Sequence, residues 1–179
     1  MKLNYVMALA VTAGFFVASC NNSEHSSTNT TTNVDSTAKK ADTAKSTASA
    51  GKVVSGTNVE VHAVGNNMSE MHFDVSEIDA PANTNMKVTL IDDATDVTMQ
   101  HNFVIVKPGD VDSVGIHGAM AGLAKDFIPD DAAVIAHSKL TKPGERTTLE
   151  FKTPEAGEYR FICTYPGHYS KMQGKFIVK

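Results

Sequence analysis

Three potential electron-pair donors crowd into one stretch near the end of the chain, Cys163-Thr164-Tyr165-Pro166-Gly167-His168-Tyr169-Ser170-Lys171-Met172. A thiol, an imidazole and a thioether share one loop. The strand-like runs Gly157 to Ile162 and Gly174 to Val178 flank it, so a strand enters, the chain turns over and a strand leaves. A fourth donor must come from elsewhere, and His101 in Met99-Gln100-His101-Asn102-Phe103-Val104-Ile105-Val106 is the best candidate because it opens another strand-like run. Two His and one Cys with a weak axial Met make the ligand set of a blue-copper electron-transfer site. Thiolate and thioether are soft and suit Cu(I), and imidazole suits both copper oxidation states. The same types also serve a thiol enzyme, with Cys163 as nucleophile and His168 or His101 as base, or a zinc site that carries no electrons. A Cys20–Cys163 disulfide is a further pairing of the chain's 2 cysteines.

The elements that must hold these residues read as short strands. Val59 to Val64 and Met71 to Val75 alternate apolar and polar residues, the pattern of half-buried strands. Met86 to Ile91, Asn102 to Val106 and Thr147 to Phe151 continue the series, separated by turn signals such as Gly65-Asn66-Asn67, Pro81-Ala82-Asn83 and Lys107-Pro108-Gly109-Asp110. Short strands with frequent turns predict an antiparallel sandwich or barrel. Ile116 to Phe127, rich in Ala, Gly and Met, is the exception and predicts a short helix.

The spacing Cys163-x4-His168-x3-Met172 resembles the copper loop of the azurins, and Met99 to Val104 resembles their first-histidine segment. Ala119 to Phe127 and Asp130 to Leu140 are similar to the segments that lie between. The resemblance runs from about Val59 to Lys179 and implies an all-β, cupredoxin-like Greek-key β-sandwich or barrel with one short external helix. It implies one copper ion, Cu(I)/Cu(II), on His101, Cys163 and His168, with Met172 axial and the Gln100 backbone carbonyl a weak fifth contact. Azurins usually have Gly at the Gln100 position, and they usually carry a disulfide for which this chain has no cysteine. Asn102 is expected to tie the first-histidine segment to the copper loop through Thr164. The ring edge of His168 is expected at the surface, in an apolar docking patch that includes Met99, Met120 and Pro166. Implied partners are redox proteins such as c-type cytochromes or a terminal reductase or oxidase, with no substrate transformed.

Residues 1–20 carry Lys2, an apolar run from Tyr5 to Val17 and then Val17-Ala18-Ser19-Cys20. This pattern predicts a secretory signal. A cysteine after small residues resembles the lipobox of bacterial lipoproteins, which implies lipid on Cys20 and a place in the bacterial cell envelope, periplasmic or outer-surface, anchored to a membrane. Residues 21–51 are Ser, Thr, Asn, Ala and Lys with one large aliphatic, Val34, too few apolar groups to offset the entropy of ordering. They are expected to form a flexible tether to a domain at 52–179.

That domain carries 12 basic against 17 acidic residues, and its lysines are scattered. No basic stripe interleaved with aromatics suggests nucleic-acid binding. His62, His72, His117 and His137 lack ligand-like spacing, and Met68, Met71 and His72 read as strand and turn packing.

Overall fold

Alternation along Asn58–Val64 (β2) is borne out residue by residue: Val59, Val61 and Ala63 are buried while Asn58 and Glu60 face solvent. The same period places Met86, Val88 and Leu90 of Asn85–Asp92 (β5) and Gly174, Phe176 and Val178 of Gln173–Val178 (β10) inside. Burial of each Val, Leu, Met or Phe side chain among them contributes about 1.5–3 kcal/mol, so a register slip of one residue would turn a whole strand's contribution outward.

The structure is a computed structural model that describes residues 51–179. The expected signal, Cys20 and all of the tether except Gly51 lie outside the described residues. Among the described residues, no helix is long and apolar enough to cross a membrane.

Among the described residues, the remaining strands are Lys52–Ser55 (β1), His72–Phe73 (β3), Val75–Ala80 (β4), Val104–Val106 (β6), Val134–His137 (β7), Arg146–Lys152 (β8) and Gly157–Ile162 (β9), with one α-helix at Val111–Ala121 (α1). They form a six-stranded sheet, β1-β4-β10-β9-β6-β7, and a four-stranded sheet, β3-β2-β5-β8. The expected sandwich is present, but it is mixed rather than antiparallel: β1 and β10 pair in parallel with β4, and β2 with β5.

Met71 to Val75 is not one strand. β3 pairs with β2, then Asp74 leaves that sheet and β4 joins the other. Asp74 makes the crossing with its own bonds: its N–H donates to the His62 carbonyl at 2.9 Å, and its Oδ1 accepts from the His62 N–H at 2.7 Å.

The core between the sheets holds an aromatic trio. Phe73, Phe103 and Phe161 lie with ring centroids 5.1–5.7 Å apart. Phe103 follows His101 closely and Phe161 precedes Cys163, so this packing anchors the two segments that present the donors. β6 is buried on both faces: Ile105 packs in the main core, and Val104 and Val106 join Val114, Ile128 and Ile162 in a second cluster involving α1.

The helix is displaced from its expected position. It starts at Val111 rather than Ile116 and ends at Gly122, whose φ of 76° suits glycine. Leu123–Lys125 then form a separate 3-10 turn. Gly115 and Gly118 face inward, where bulkier residues have no room. A Cβ at 115 would overlap the Tyr169 ring, and one at 118 would come within 2.6 Å of Thr164 Cβ and 2.7 Å of the Phe127 carbonyl. The helix therefore lies directly against the loop between β9 and β10.

Candidate metal centre

The β9–β10 loop is folded tightly on itself. The Cys163 N–H donates to the Met172 carbonyl at 2.9 Å, the His168 N–H to the Tyr165 carbonyl at 3.0 Å, and the Met172 N–H to the His168 carbonyl at 2.8 Å. Gly167, with φ of 82°, makes the turn that brings His168 back toward Cys163. His101 is set by a two-way bridge with Thr141, its N–H donating at 3.0 Å and its carbonyl accepting at 2.7 Å.

These two constructions bring three donors together. Cys163 Sγ lies 3.9 Å from His101 Nδ1 and 3.8 Å from His168 Nδ1, and the two Nδ1 atoms are 3.2 Å apart. Metal–ligand bonds of about 2.0–2.3 Å in a trigonal plane separate the donors by roughly 3.5–3.8 Å. The set therefore fits one metal ion. All three residues and Met172 are fully or almost fully buried, and His101, Cys163 and His168 are the His/Cys/Asp/Glu cluster of metal-binding geometry among the described residues.

Electrostatics points the same way. Burial, reinforced by the neighbouring His168, pulls His101 down to about 3. Burial pulls His168 down to about 4. Both rings are neutral at ordinary pH, with lone pairs free to bind a metal. Burial pushes the Cys163 thiol up to about 12, against hydrogen bonds from the Asn102 and Tyr165 N–H groups that favour the thiolate. A thiol this buried and this weakly acidic is no nucleophile without a metal. A bound cation replaces the proton, and the two N–H groups then face a thiolate.

The surrounding contacts lock the two donor-bearing segments together. The Thr164 N–H donates to Asn102 Oδ1 at 2.7 Å, and Asn102 Nδ2 donates to Thr164 Oγ1 at 2.9 Å. Asn102 Nδ2 also donates to the Asp126 carbonyl at 2.8 Å, and Thr164 Oγ1 to the Phe127 carbonyl at 2.7 Å. Asp126 and Phe127 both adopt positive φ, 53° and 57°. This backbone is uncommon for a large side chain such as Phe, and here it presents two successive carbonyls to the Asn102–Thr164 pair.

Other expected site residues are placed as follows. Met120 is 78% exposed, and Pro166 is also exposed. Met99 is 4% exposed and packs in the main core, so it is not part of a surface patch. His168 is 1% exposed rather than presenting an open ring edge, with the Tyr165 ring 4.7 Å from its own. The Gln100 side chain turns to the Val97 carbonyl at 3.4 Å. Met71 is buried in the core, and exposed His72 bonds the Glu70 carbonyl at 2.6 Å, so that pair belongs to packing and turn structure. Gly115, Gly118, Asp126 and Phe127 were not singled out from the sequence as supports of the site. Small residues recurring within an Ala/Gly-rich helix were the available signal for the first two.

A two-sheet sandwich with one outer helix, bearing a buried His-Cys-His cluster and a Met on the same loop, is a cupredoxin. Residues 59–179 match the copper binding proteins of the plastocyanin/azurin family, and the chain belongs to that family. It is 35% identical to Auracyanin-A of Chloroflexus aurantiacus over 118 residues, 64% of this chain and 72% of the relative. It is 41% identical to azurin of Pseudomonas aeruginosa over 85 residues, 45% of this chain and 57% of azurin. Among solved structures, dithionite-reduced auracyanin of Roseiflexus castenholzii aligns with a TM-score of 0.61 at 37% identity, covering 69% of this chain and 97% of that one. The family binds one copper, and the His101, Cys163, His168 and Met172 donor set suits a type 1 site.

Proposed function

We propose that this protein is a one-electron carrier that shuttles electrons between larger redox proteins in the bacterial cell envelope. The observation that carries this reading is the closed donor cluster, three buried donor atoms all within 4.8 Å of one another. A copper-delivery module needs an exposed site that releases its metal, and this one is enclosed. A thiol enzyme needs an accessible thiolate, and Cys163 is a buried thiol.

Copper, when bound, supplies a one-electron couple between Cu(II) and Cu(I). His101 and His168 would hold it through Nδ1, Cys163 through Sγ and Met172 weakly through its thioether, with the Gln100 carbonyl as a fifth contact. The Asn102 and Tyr165 N–H groups hold the charge on the sulfur. The Asn102–Thr164 bonds and the His101–Thr141 bridge fix both sides of the donor set, so little moves when the charge changes. That rigidity supports fast transfer and distinguishes the site from a substrate pocket. The docking face we assign lies around the copper loop and uses exposed Met120 and Pro166. Redox encounters of this kind bury small areas and are transient.

Residues 1–20 and Cys20 support a lipid anchor, with 21–51 as the tether that lets the domain reach its partners. Two experiments test the reading. Copper-loaded protein should take an electron from one c-type cytochrome or other redox protein and pass it to another in stopped-flow mixing, with Met120→Lys slowing exchange and leaving the spectrum unchanged. Failure to exchange electrons with any redox protein would contradict the carrier role. Labelled palmitate should enter the wild type in a bacterial host and not Cys20→Ala; label in neither would remove the anchor.

A further inference from the structure

His101 presents Nδ1 to the metal site, facing Cys163 Sγ and His168 Nδ1. The proton of its neutral ring then sits on Nε2, and a ligating imidazole almost always donates that outer N–H to an acceptor. His101 is fully buried, and its Nε2 is buried without a partner. Thr141 is fully buried as well, and its Oγ1 also has no partner. The two residues face each other across the bridge that sets His101, the His101 N–H donating to Thr141 at 3.0 Å and the His101 carbonyl accepting at 2.7 Å. Thr153 and Thr164, also buried, are satisfied: Thr153 Oγ1 donates to the Pro81 carbonyl and Thr164 Oγ1 to the Phe127 carbonyl, each at 2.7 Å.

In an antiparallel pair that exchanges both N–H···O bonds, opposed side chains stand on the same face, with Cβ atoms about 5 Å apart. One unpaired donor and one unpaired acceptor therefore share one face of one bridge. Either is costly to bury alone. Together they are complementary, because a threonine hydroxyl rotates to suit its partner and offers two lone pairs. No direct hydrogen bond joins the two atoms, so the group that fits between them is one water, which needs about two to four polar partners to stay buried. Valine has the shape of threonine and would ask for no partner, so packing does not account for the hydroxyl.

Resting on the carrier reading above, we propose that Thr141 is a positioning residue for the copper couple: it holds one buried water that accepts the His101 Nε2–H. The water donates one of its own protons to Thr141 Oγ1, so the unpaired donor and the unpaired acceptor are both used. The bond does two things. It fixes the rotation of the imidazole, which keeps Nδ1 aimed at the metal. It also draws the Nε2 proton outward, which makes Nδ1 a stronger donor. A stronger imidazole donor favours the more highly charged Cu(II) over Cu(I), so Thr141 and its water hold the midpoint potential down. No proton changes hands; each stays on its own atom.

The test compares the copper-loaded full chain with Thr141→Val and Thr141→Ser. Outer partners of metal ligands are worth about 10–100-fold in metal affinity. Thr141→Val is therefore expected to raise the midpoint potential by the equivalent of about a tenfold shift in preference toward Cu(I), and Thr141→Ser, which keeps the hydroxyl, to stay with the wild type. Nuclear magnetic resonance of the Cu(I) form with labelled histidine gives a readout that does not need the couple. The His101 Nε2–H signal should show a cross-peak to a bound water in the wild type and Thr141→Ser, and lose it in Thr141→Val. A purely structural role would lower the melting temperature of Thr141→Val and leave both readouts unmoved, which would overturn the proposal. Equal shifts in both variants would overturn it as well, since the hydroxyl would then not matter, and so would a wild-type Nε2–H with no water beside it. If Thr141→Val does not load copper, the wild-type cross-peak and Thr141→Ser decide. Copper that binds and does not cycle would contradict the carrier reading and leave Thr141 to be decided by the cross-peak.

Discussion

Asn102 and Thr164 hold each other from opposite sides of the metal centre, the Thr164 N–H donating to Asn102 Oδ1 at 2.7 Å and Asn102 Nδ2 to Thr164 Oγ1 at 2.9 Å. One residue follows His101 and the other follows Cys163, so each bond fixes the relative position of two donors. Both side chains are buried, and removing one leaves its partner unsatisfied. Asn102→Ala is expected to cost about 1–3 kcal/mol of stability and to weaken copper binding by about 10–100-fold. Chemical denaturation and competition with a copper chelator measure the two effects. Unchanged affinity would mean that the donors hold their places without this pair.

The helix seat makes a separate prediction. Gly118 faces the Phe127 carbonyl, and backbone there cannot turn aside like a flexible side chain. Gly118→Ala is expected to destabilise the protein by about 1–3 kcal/mol through overpacking, although alanine favours helix. Ala121→Gly, at the half-buried last position of the same helix, should cost about 1 kcal/mol through propensity. Thermal melts of the two variants distinguish packing from propensity.

The metal-free protein should depend on pH in a way set by three groups. His101 and His168 are held at about 3 and about 4, below the ordinary histidine value of 6.5. The unfolded chain therefore binds two protons that the folded chain refuses, and stability is lost as pH falls below about 6.5. Asp92, raised from 3.8 to about 7, works in the opposite sense because the folded chain holds a proton that the unfolded chain releases. Between about pH 4.5 and 6 the net difference is one proton, so stability should fall by about 1.4 kcal/mol per pH unit of acidification. In Asp92→Asn the opposing group is gone and the slope should double. Urea titrations of the metal-free forms at several pH values test both slopes; equal slopes would contradict the assignment of Asp92.

Cys163 reactivity gives a further check. Buried and pushed up to about 12, the metal-free thiol should resist alkylation at pH 7.5 in the folded protein and react promptly in denaturant. Alkylation at the same rate in both states would contradict the enclosed site and reopen the thiol-enzyme reading.

Much of the centre was legible because it is local. Cys163, His168 and Met172 share one loop between strands whose alternation is plain, and their order needs no tertiary information. His101 and Asn102 lie at the head of another apolar strand, so the resemblance found them from a second short motif. The parallel pairings of β2 with β5 and of β10 with β4 are non-local and leave no mark on the period of either strand. Met71 to Val75 kept its alternation across a change of sheet, which hid the break at Asp74. Met99 is apolar and adjacent to the site on either the core or the surface reading, and only packing showed it inside. Asp92 directly follows the apolar run Met86 to Ile91, and nothing in its local sequence marks it as buried. Its burial follows from the closing of the 144–145 backbone over it.

The central claim is that His101, Cys163, His168 and Met172 form one redox-active copper site. Its most direct test is the visible spectrum of the protein after addition of Cu(II), beside Cys163→Ser. An intense blue colour in the wild type, bleached by a reductant, restored by an oxidant and absent from the variant, is the predicted result. A colourless protein, or a colour that survives Cys163→Ser, would contradict the claim.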